Sequence, residues 1–266
     1  MNDIHSTAVV EDGAKIGADV RIGPYCIIGE GVDLSDRVHL HSHVVVSGHT
    51  QIGAETEIYP FASIGLPPQD LKFAGEDSEL RIGARTQIRE HVTMNPGTSG
   101  GGLITSVGDD CLFMVGSHVA HDCRVGNNVI LANNATLAGH VHVGDFAIIG
   151  GLSAIHQFVR IGAHAMVGGM SGVEHDLIPY GSAMGERARL RGLNLVGLQR
   201  RDFSRDDIQH LRTAYRLLFA QEGTMQERVD GVVELYADNE GVMEIVNFVR
   251  EETSRAVLQP KSTNDT

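Results

Sequence analysis

The sequence predicts a mainly β protein, a parallel β-helix of hexapeptide repeats closed by a small C-terminal α-helical domain. Two observations carry that prediction: an aliphatic residue recurs at every sixth position over most of the chain, and the rhythm then gives way to helix-start signals. Every sixth residue from Ile4 reads Ile4, Val10, Ile16, Ile22, Ile28, Leu34, Leu40, Val46, Ile52, Ile58 and Ile64, and Ile82, Ile88 and Met94 continue the series. The register resumes one residue out of phase at Val107, Phe113 and Val119 and runs without a gap to Val173. With 42% hydrophobic residues, the 23 hits of the two long blocks have a chance on the order of one in 10⁸ to 10⁹. Accident is excluded, and a period of six fits neither a 3.6-residue helix nor an ordinary hairpin sheet.

The other positions of the hexad are as regular. The aliphatic residue is followed by glycine at Gly17, Gly23, Gly53, Gly83, Gly126 and Gly162, among others, which suits a corner with unusual backbone angles. Four residues after it comes a second small or β-branched inward side chain, as at Ala8, Val20, Val44 and Ala135. The pattern resembles the hexapeptide-repeat superfamily, whose known geometry implies three hexads per coil, three flat sheets and left-handed winding, against the usual rule for parallel crossovers. Two stretches interrupt it, 66–80 and 97–106. The first favours a role in a binding face, the second a tolerated surface insertion.

Past Val173 the rhythm stops. Ser204 with Asp207 and Thr224 with Glu227 have capping-box spacing, which predicts helices over 205–221, 225–237 and 240–257. An exposed solenoid end needs a cap. The chain therefore divides into a β-helix over 1–190 and a helical domain over 191–266, with a loose tail from Lys261 to Thr266.

No stretch approaches 18 apolar residues, and no basic segment leads into an apolar run, so neither a membrane span nor a secretion signal is expected. Three cysteines without CxxC spacing fit a reducing, cytoplasmic setting. A net charge of −13 disfavours nucleic acid as a partner. That charge is uneven: Arg187, Arg189, Arg191, Arg200, Arg201, Arg205, Arg212 and Arg216 face only Asp202, Asp206 and Asp207 in their stretch, which is +5 locally against −18 elsewhere. Such a patch calls for an acidic partner.

The repeat assigns Cys26, Cys111 and Cys123 to the small inward position, where a thiol is an inert core residue. Histidine behaves oppositely, for no solenoid histidine takes an inward position. His5, His39, His41, His43, His49, His91 and His164 read as members of a solvated polar face. The hexads beginning at Val119, Leu137 and Ile155 lie 18 residues apart, so they stack in successive coils about 4.8 Å apart. His121 then shares a column with Gly139 and Gln157, Asp122 shares the next with His140, His156 lies on the same face, and His118 precedes the corner. A histidine beside an aspartate, above a glycine whose N–H can be approached, supplies a general base, an orienter and an oxyanion donor. This is equipment for acyl transfer, and without a serine or cysteine nucleophile motif it fits direct attack by a bound alcohol or amine.

These residues lie in motifs that resemble the bacterial acyl-carrier-protein–UDP-N-acetylglucosamine O-acyltransferase family, which performs the first committed step of lipid A biosynthesis. The motifs are SHVVVSGHTQIG, LPPQDLKFAGE, HVAHDCRVGN, LANNATLAGHV, FAIIGGLSAIHQFVRIG and GLNLVGLQRR, spread over nearly the whole chain. The resemblance implies that His121 is the general base for the sugar 3-hydroxyl, that Asp122 orients it and that the Gly139 amide holds the oxyanion. It implies sugar-nucleotide contacts from Asp70, His118, His140 and Gln157, with Lys72 holding substrate, His156 at the nucleotide end, and Asn194, Arg200 and Arg201 near acyl and phosphate groups. Val196 stands where family members often carry an acidic residue. Gly169 matches the acyl-chain ruler, implying a long (3R)-3-hydroxyacyl chain, with Met170 able to cap its tunnel.

The resemblance also implies a homotrimer with sites between neighbouring solenoids, acyl carrier protein docking on the arginine patch, and no cofactor beyond the phosphopantetheine that carries the donor. A 3-amino sugar analogue is the alternative acceptor. The rivals are an acetyl-CoA-dependent hexapeptide acyltransferase and a UDP-sugar N-acyltransferase, the latter carrying a uridine-binding domain ahead of its hexads, which here start at Ile4. No metal is expected, since the His-x-x-x-x-His spacing of a zinc hydratase on this solenoid does not occur.

Overall fold

The computed structural model describes residues 1–261. Each hexad contributes a two-residue strand, the aliphatic residue pointing in and its predecessor out, followed by a tight corner. The chain passes through three sheets in turn, and each strand pairs in parallel with the strand one coil on, as in Ile22↔Leu40, Val119↔Leu137 and Val143↔Ile161. The product is a left-handed parallel β-helix of triangular cross-section. Its interior is a set of stacked columns. Ile58, Ile88, Phe113, Leu131, Ile149 and Val167 follow one another in successive coils and are all fully buried. Each such side chain contributes about 1.5–3 kcal/mol.

The cysteines lie in this core as expected. Burial raises the thiols of Cys111 and Cys123, to about 11 and about 12, so neither offers a thiolate. Apart from Gly65, whose φ is +79°, the glycines after the aliphatic positions have a different reason from the one expected. A Cβ on Gly53 would sit 2.4 Å from the backbone of Gly83 in the next coil, so close stacking excludes a side chain. The left-handed backbone falls two residues later, on residues such as Asp19, Tyr25, Arg37 and His43. The excursions are also shorter than predicted. Glu79–Ile82 and Ile104–Val107 are four-residue strands paired with each other, and the first pairs with His49–Ile52, so the chain re-enters the solenoid after Ser78 and Leu103.

The solenoid ends in a hairpin of Gly181–Met184 and Arg189–Leu193 that the hexad pattern does not announce. Four helices follow among the described residues: α1 (Leu195–Arg200), α2 (Arg205–Leu218), α3 (Met225–Tyr236) and α4 (Glu240–Arg250). Ser204 caps α2 and Thr224 with Glu227 forms a full capping box on α3, as predicted; α1, capped by Asn194, was not. α4 stops at Arg250 rather than 257. Beyond it, Val257 pairs with Asp176 and Pro260 with Leu190 as extended chain. Arg160 enforces this course: its guanidinium donates to buried Asp176 (2.7 Å) and to Glu251 (2.6 Å), and the Thr253 hydroxyl also reaches Asp176 (3.1 Å). Of the tail expected to be loose, only Lys261 lies within the described residues.

Of the seven histidines assigned to a solvated face, His43 and His91 are exposed and stack on Phe61, with Tyr25 tilted against His43, whereas His164 packs among Phe146, Tyr180 and Phe203. Burial holds His39, His118, His140, His142 and His164 below the ordinary imidazole range. For a group with a depressed folded-state pKa the unfolded chain binds the proton first. The stability each neutral imidazole represents is therefore fully present above about pH 6.5 and is lost as pH falls through the depressed value. Urea-denaturation midpoints are expected to be flat from about pH 8 to 7 and to drop between about 6.5 and 5; a midpoint that rose on acidification across that window would contradict this.

Candidate active site

Both excursions leave the solenoid at one corner. The first departs between Ser63–Ile64 in the second sheet and Glu79–Ile82 in the third, and the second between Thr93–Met94 and Ile104–Val107 in the same two sheets. His121 and Asp122 occupy that same corner one coil later, between His118–Val119 and Arg124–Val125. The second insertion is therefore no plain surface loop, contrary to the expectation. It roofs Asp122: the Thr98 backbone N–H donates to Oδ1 (2.8 Å) and the Thr98 hydroxyl to Oδ2 (2.6 Å). Gly101 lies so close above that a Cβ there would stand 2.1 Å from the Asp122 carboxyl carbon.

Under this roof Asp122 is 3% exposed and His121 7%. The Asp122 carboxylate accepts from His121 Nδ1 at 2.8 Å, and the Asp122 N–H is itself held by the Thr105 hydroxyl at 2.7 Å. With the carboxylate acting as acceptor, the proton of neutral His121 resides on Nδ1, and Nε2 presents a lone pair. The ring lies over Gly139, where a Cβ would come within 2.4 Å of it. The Gly139 N–H has no acceptor among the described residues. A cavity of about 310 Å³ opens here, lined by Gln69, Asn95, His118, His121, Gly139 and Gln157 among others.

The neighbours are equally constrained. His118 Nδ1 meets the Thr93 hydroxyl at 2.7 Å, and burial keeps its pKa low, so it is neutral near pH 7. His140 stacks on Phe158 at 4.5 Å and meets His121 edge-on at 5.1 Å, its Nε2 3.8 Å from Asp122. Burial lowers its pKa against the attraction of Asp122 and of Asp70. His121, Asp122 and His140 approach one another like metal ligands. The Asp122 oxygens, however, already accept from Thr98 and His121, which makes this a hydrogen-bonded constellation.

The fold thus brings together His118, His121, Asp122, Gly139, His140 and Gln157. His156 is turned away: its Nδ1 meets Arg255 at 2.8 Å, and it does not line the cavity. Asp70 closes a turn by accepting from the Lys72 N–H at 3.0 Å, and Lys72 is exposed. Asn194, Arg200 and Arg201 lie elsewhere on the chain. Asn194 caps α1 and donates to the His164 carbonyl, while Arg201 donates to the Phe146 carbonyl, against the corner between the third and first sheets. Gly169 and exposed Met170 stand at the third corner, between the first and second sheets. Sequence reasoning missed Thr93, Asn95, Thr98 and Gln69, all next to or within the excursions where the repeat loses its phase. Asn95 ties the first excursion down by donating to the Leu66 and Pro67 carbonyls at 2.9 and 3.3 Å.

Comparison with known proteins finds relatives over nearly the whole chain. The model of the UDP-N-acetylglucosamine O-acyltransferase domain 2 family matches residues 176–258, and the bacterial transferase hexapeptide family matches residues 104–139. The chain is 54% identical to the acyl-[acyl-carrier-protein]–UDP-N-acetylglucosamine O-acyltransferase of Caulobacter vibrioides, over 97% of this chain and 98% of that one. It is 53% identical to the protein of that name from Azorhizobium caulinodans, over 97% and 95%. A crystal structure of a UDP-N-acetylglucosamine acyltransferase superposes with a TM-score of 0.94 at 45% identity, covering 98% of this chain and all of the other. On the hexads, the roofed histidine–aspartate corner and this near full-length identity, the chain belongs to the acyl-[acyl-carrier-protein]–UDP-N-acetylglucosamine O-acyltransferase family.

Proposed function

We propose that this chain transfers a (3R)-3-hydroxyacyl group from acyl carrier protein to the 3-hydroxyl of UDP-N-acetylglucosamine, the first step of lipid A biosynthesis. The observation that carries the mechanism is His121, its Nδ1 hydrogen held by buried Asp122, facing a cavity beside the unpaired Gly139 N–H. His121 Nε2 takes the proton of the sugar hydroxyl as its oxygen attacks the thioester carbonyl. The Gly139 N–H donates to the oxyanion of the tetrahedral intermediate, and the proton then passes from His121 to the leaving thiolate. Asp122, itself fixed by Thr98, stabilises the imidazolium formed on the way. His118, His140, Gln157 and Asp70 would orient the sugar nucleotide, and no cofactor of the enzyme's own enters.

Asn194 and Arg201, expected near acyl and phosphate groups, and the ruler residues Gly169 and Met170 stand on the other two corners of the prism, so we infer that the complete site forms between copies in a homotrimer. The first sheet supports this reading. Its outward positions are apolar in four successive coils, Leu112, Ile130, Ile148 and Met166, whereas the third sheet carries Arg124, His142 and Arg160 at the corresponding places. An apolar stripe on an outer sheet face calls for a cover. Arg200, Arg205, Arg212 and Arg216 are exposed on and around α1 and α2, a basic surface suited to an acidic carrier protein. Among the described residues no helix is long and apolar enough to cross a membrane. We place the protein in the cytoplasm.

His121→Ala is expected to lower kcat by about 10²–10⁴-fold in a carrier-protein acyl-transfer assay; wild-type turnover at saturating substrates would refute the base assignment. Thr98→Val, which removes one donor to Asp122, should lower kcat while leaving KM for the sugar nucleotide nearly unchanged, by initial-rate kinetics. At Gly169 an added Cβ would lie 3.2 Å from the Gly151 carbonyl oxygen, a tight contact that asks the neighbouring coil to give by a few tenths of an ångström. Gly169→Met should shift preference to shorter acyl chains in product mass spectrometry with 3-hydroxyacyl carrier proteins of several lengths. The same assay with the 3-amino acceptor decides oxygen against nitrogen. Ile130→Asp with Ile148→Asp is expected to turn a trimer into monomers by sedimentation and to abolish activity, with the β circular dichroism retained.

A further inference from the structure

The first sheet carries a second cluster of titratable groups, beginning three coils before His121 and unused by the mechanism. His39 and Glu57 are directly paired on adjacent strands, His39–Leu40 and Glu57–Ile58, and His41 follows at the corner. His41 Nε2 lies 2.8 Å and His39 Nδ1 3.5 Å from one Glu57 oxygen, and the three ligand atoms all fall within 4.8 Å of one another. We propose that His39, His41 and Glu57 form a binding site for a divalent transition-metal ion of the zinc class, its fourth position open to solvent.

Two imidazoles and a carboxylate are the donor set of an open zinc site. Metal–ligand bonds of about 2.0–2.1 Å in a tetrahedron set donors roughly 3.3 Å apart. The two imidazole-to-carboxylate separations, 2.8 and 3.5 Å, lie on either side of that value. The scaffold holds the donors in place: both strands are locked in the ladder, and the His41 ring stacks on Tyr59 at 4.5 Å. Each of the three side chains is about a third exposed, which leaves room for a water or an exogenous ligand on the ion. Two cations are near. Arg21 neighbours His39 on the ladder, and Arg89 lies over the Tyr59 ring but is paired with Glu90. Neither forms an ion pair with Glu57 among the described residues, and the carboxylate's other neighbour is the Tyr59 hydroxyl, a neutral donor that a metal ion would displace.

The test is a calorimetric titration of the chelator-treated full-length protein with Zn²⁺, repeated with Co²⁺ to read ligand-field absorption. One ion per chain is expected. His39→Ala, His41→Ala and Glu57→Gln should each weaken binding by more than about tenfold, the scale that loss of even an outer partner produces. Asp122→Asn, which dismantles the other three-donor group, should leave this uptake unchanged. Circular dichroism melts establish that each variant is folded. Wild-type uptake no stronger than that of a His39→Ala, His41→Ala, Glu57→Gln triple variant, or uptake abolished by Asp122→Asn, overturns the proposal.

Discussion

The structure depends on one geometric constraint: a coil of three hexads returns the chain to the same place every 18 residues, one strand spacing further along. In-register pairing such as Val119↔Leu137↔Ile155 converts a sequence interval into physical contact. It sets His121 over Gly139 and Asp122 against His140, and it stacks the core in columns. The same closeness dictates composition. Where one coil passes directly beneath the next, as Gly53 beneath Gly83, a Cβ would collide with backbone, so glycine recurs for spatial rather than conformational reasons.

A regular solenoid alone would leave His121 on an open surface. The excursions change that, because both emerge at the corner where the histidine sits. Thr98 and Gly101 close over buried Asp122, whose carboxyl oxygens take two hydrogen bonds from Thr98 and one from His121. Burial strengthens each of those interactions and fixes the imidazole proton on Nδ1. Asn95 and Gln69 draw the first excursion to the same cavity. Asn194 and Arg201, against the corner between the third and first sheets, and Gly169, between the first and second, stand away from this corner.

What was legible in the sequence follows from the same constraint. Within uninterrupted hexads, register is arithmetic, so the column of His121, Gly139 and Gln157, the burial of three cysteines and every solenoid strand were readable. At the excursions the phase is lost, and the roles of Thr93, Asn95 and Thr98 went unseen although each touches a residue that had been named. The helix expected over 240–257 stops at Arg250, and Val257 and Leu258 run as extended chain paired with Asp176, a tertiary contact that no local pattern encodes. His156 shares the face of the catalytic column, but Arg255, 99 residues further on, claims its ring.

The central claim is that catalysis rests on the contact between His121 and the glycine one coil further on. Gly139→Ala tests it directly, since the added methyl would lie within 3.0 Å of three atoms of the His121 ring. The substitution is predicted to cut kcat by about 10²-fold or more, as loss of a positioned base or oxyanion donor does, with the melting temperature and oligomeric state little changed. Wild-type turnover from a folded Gly139→Ala protein would contradict the account.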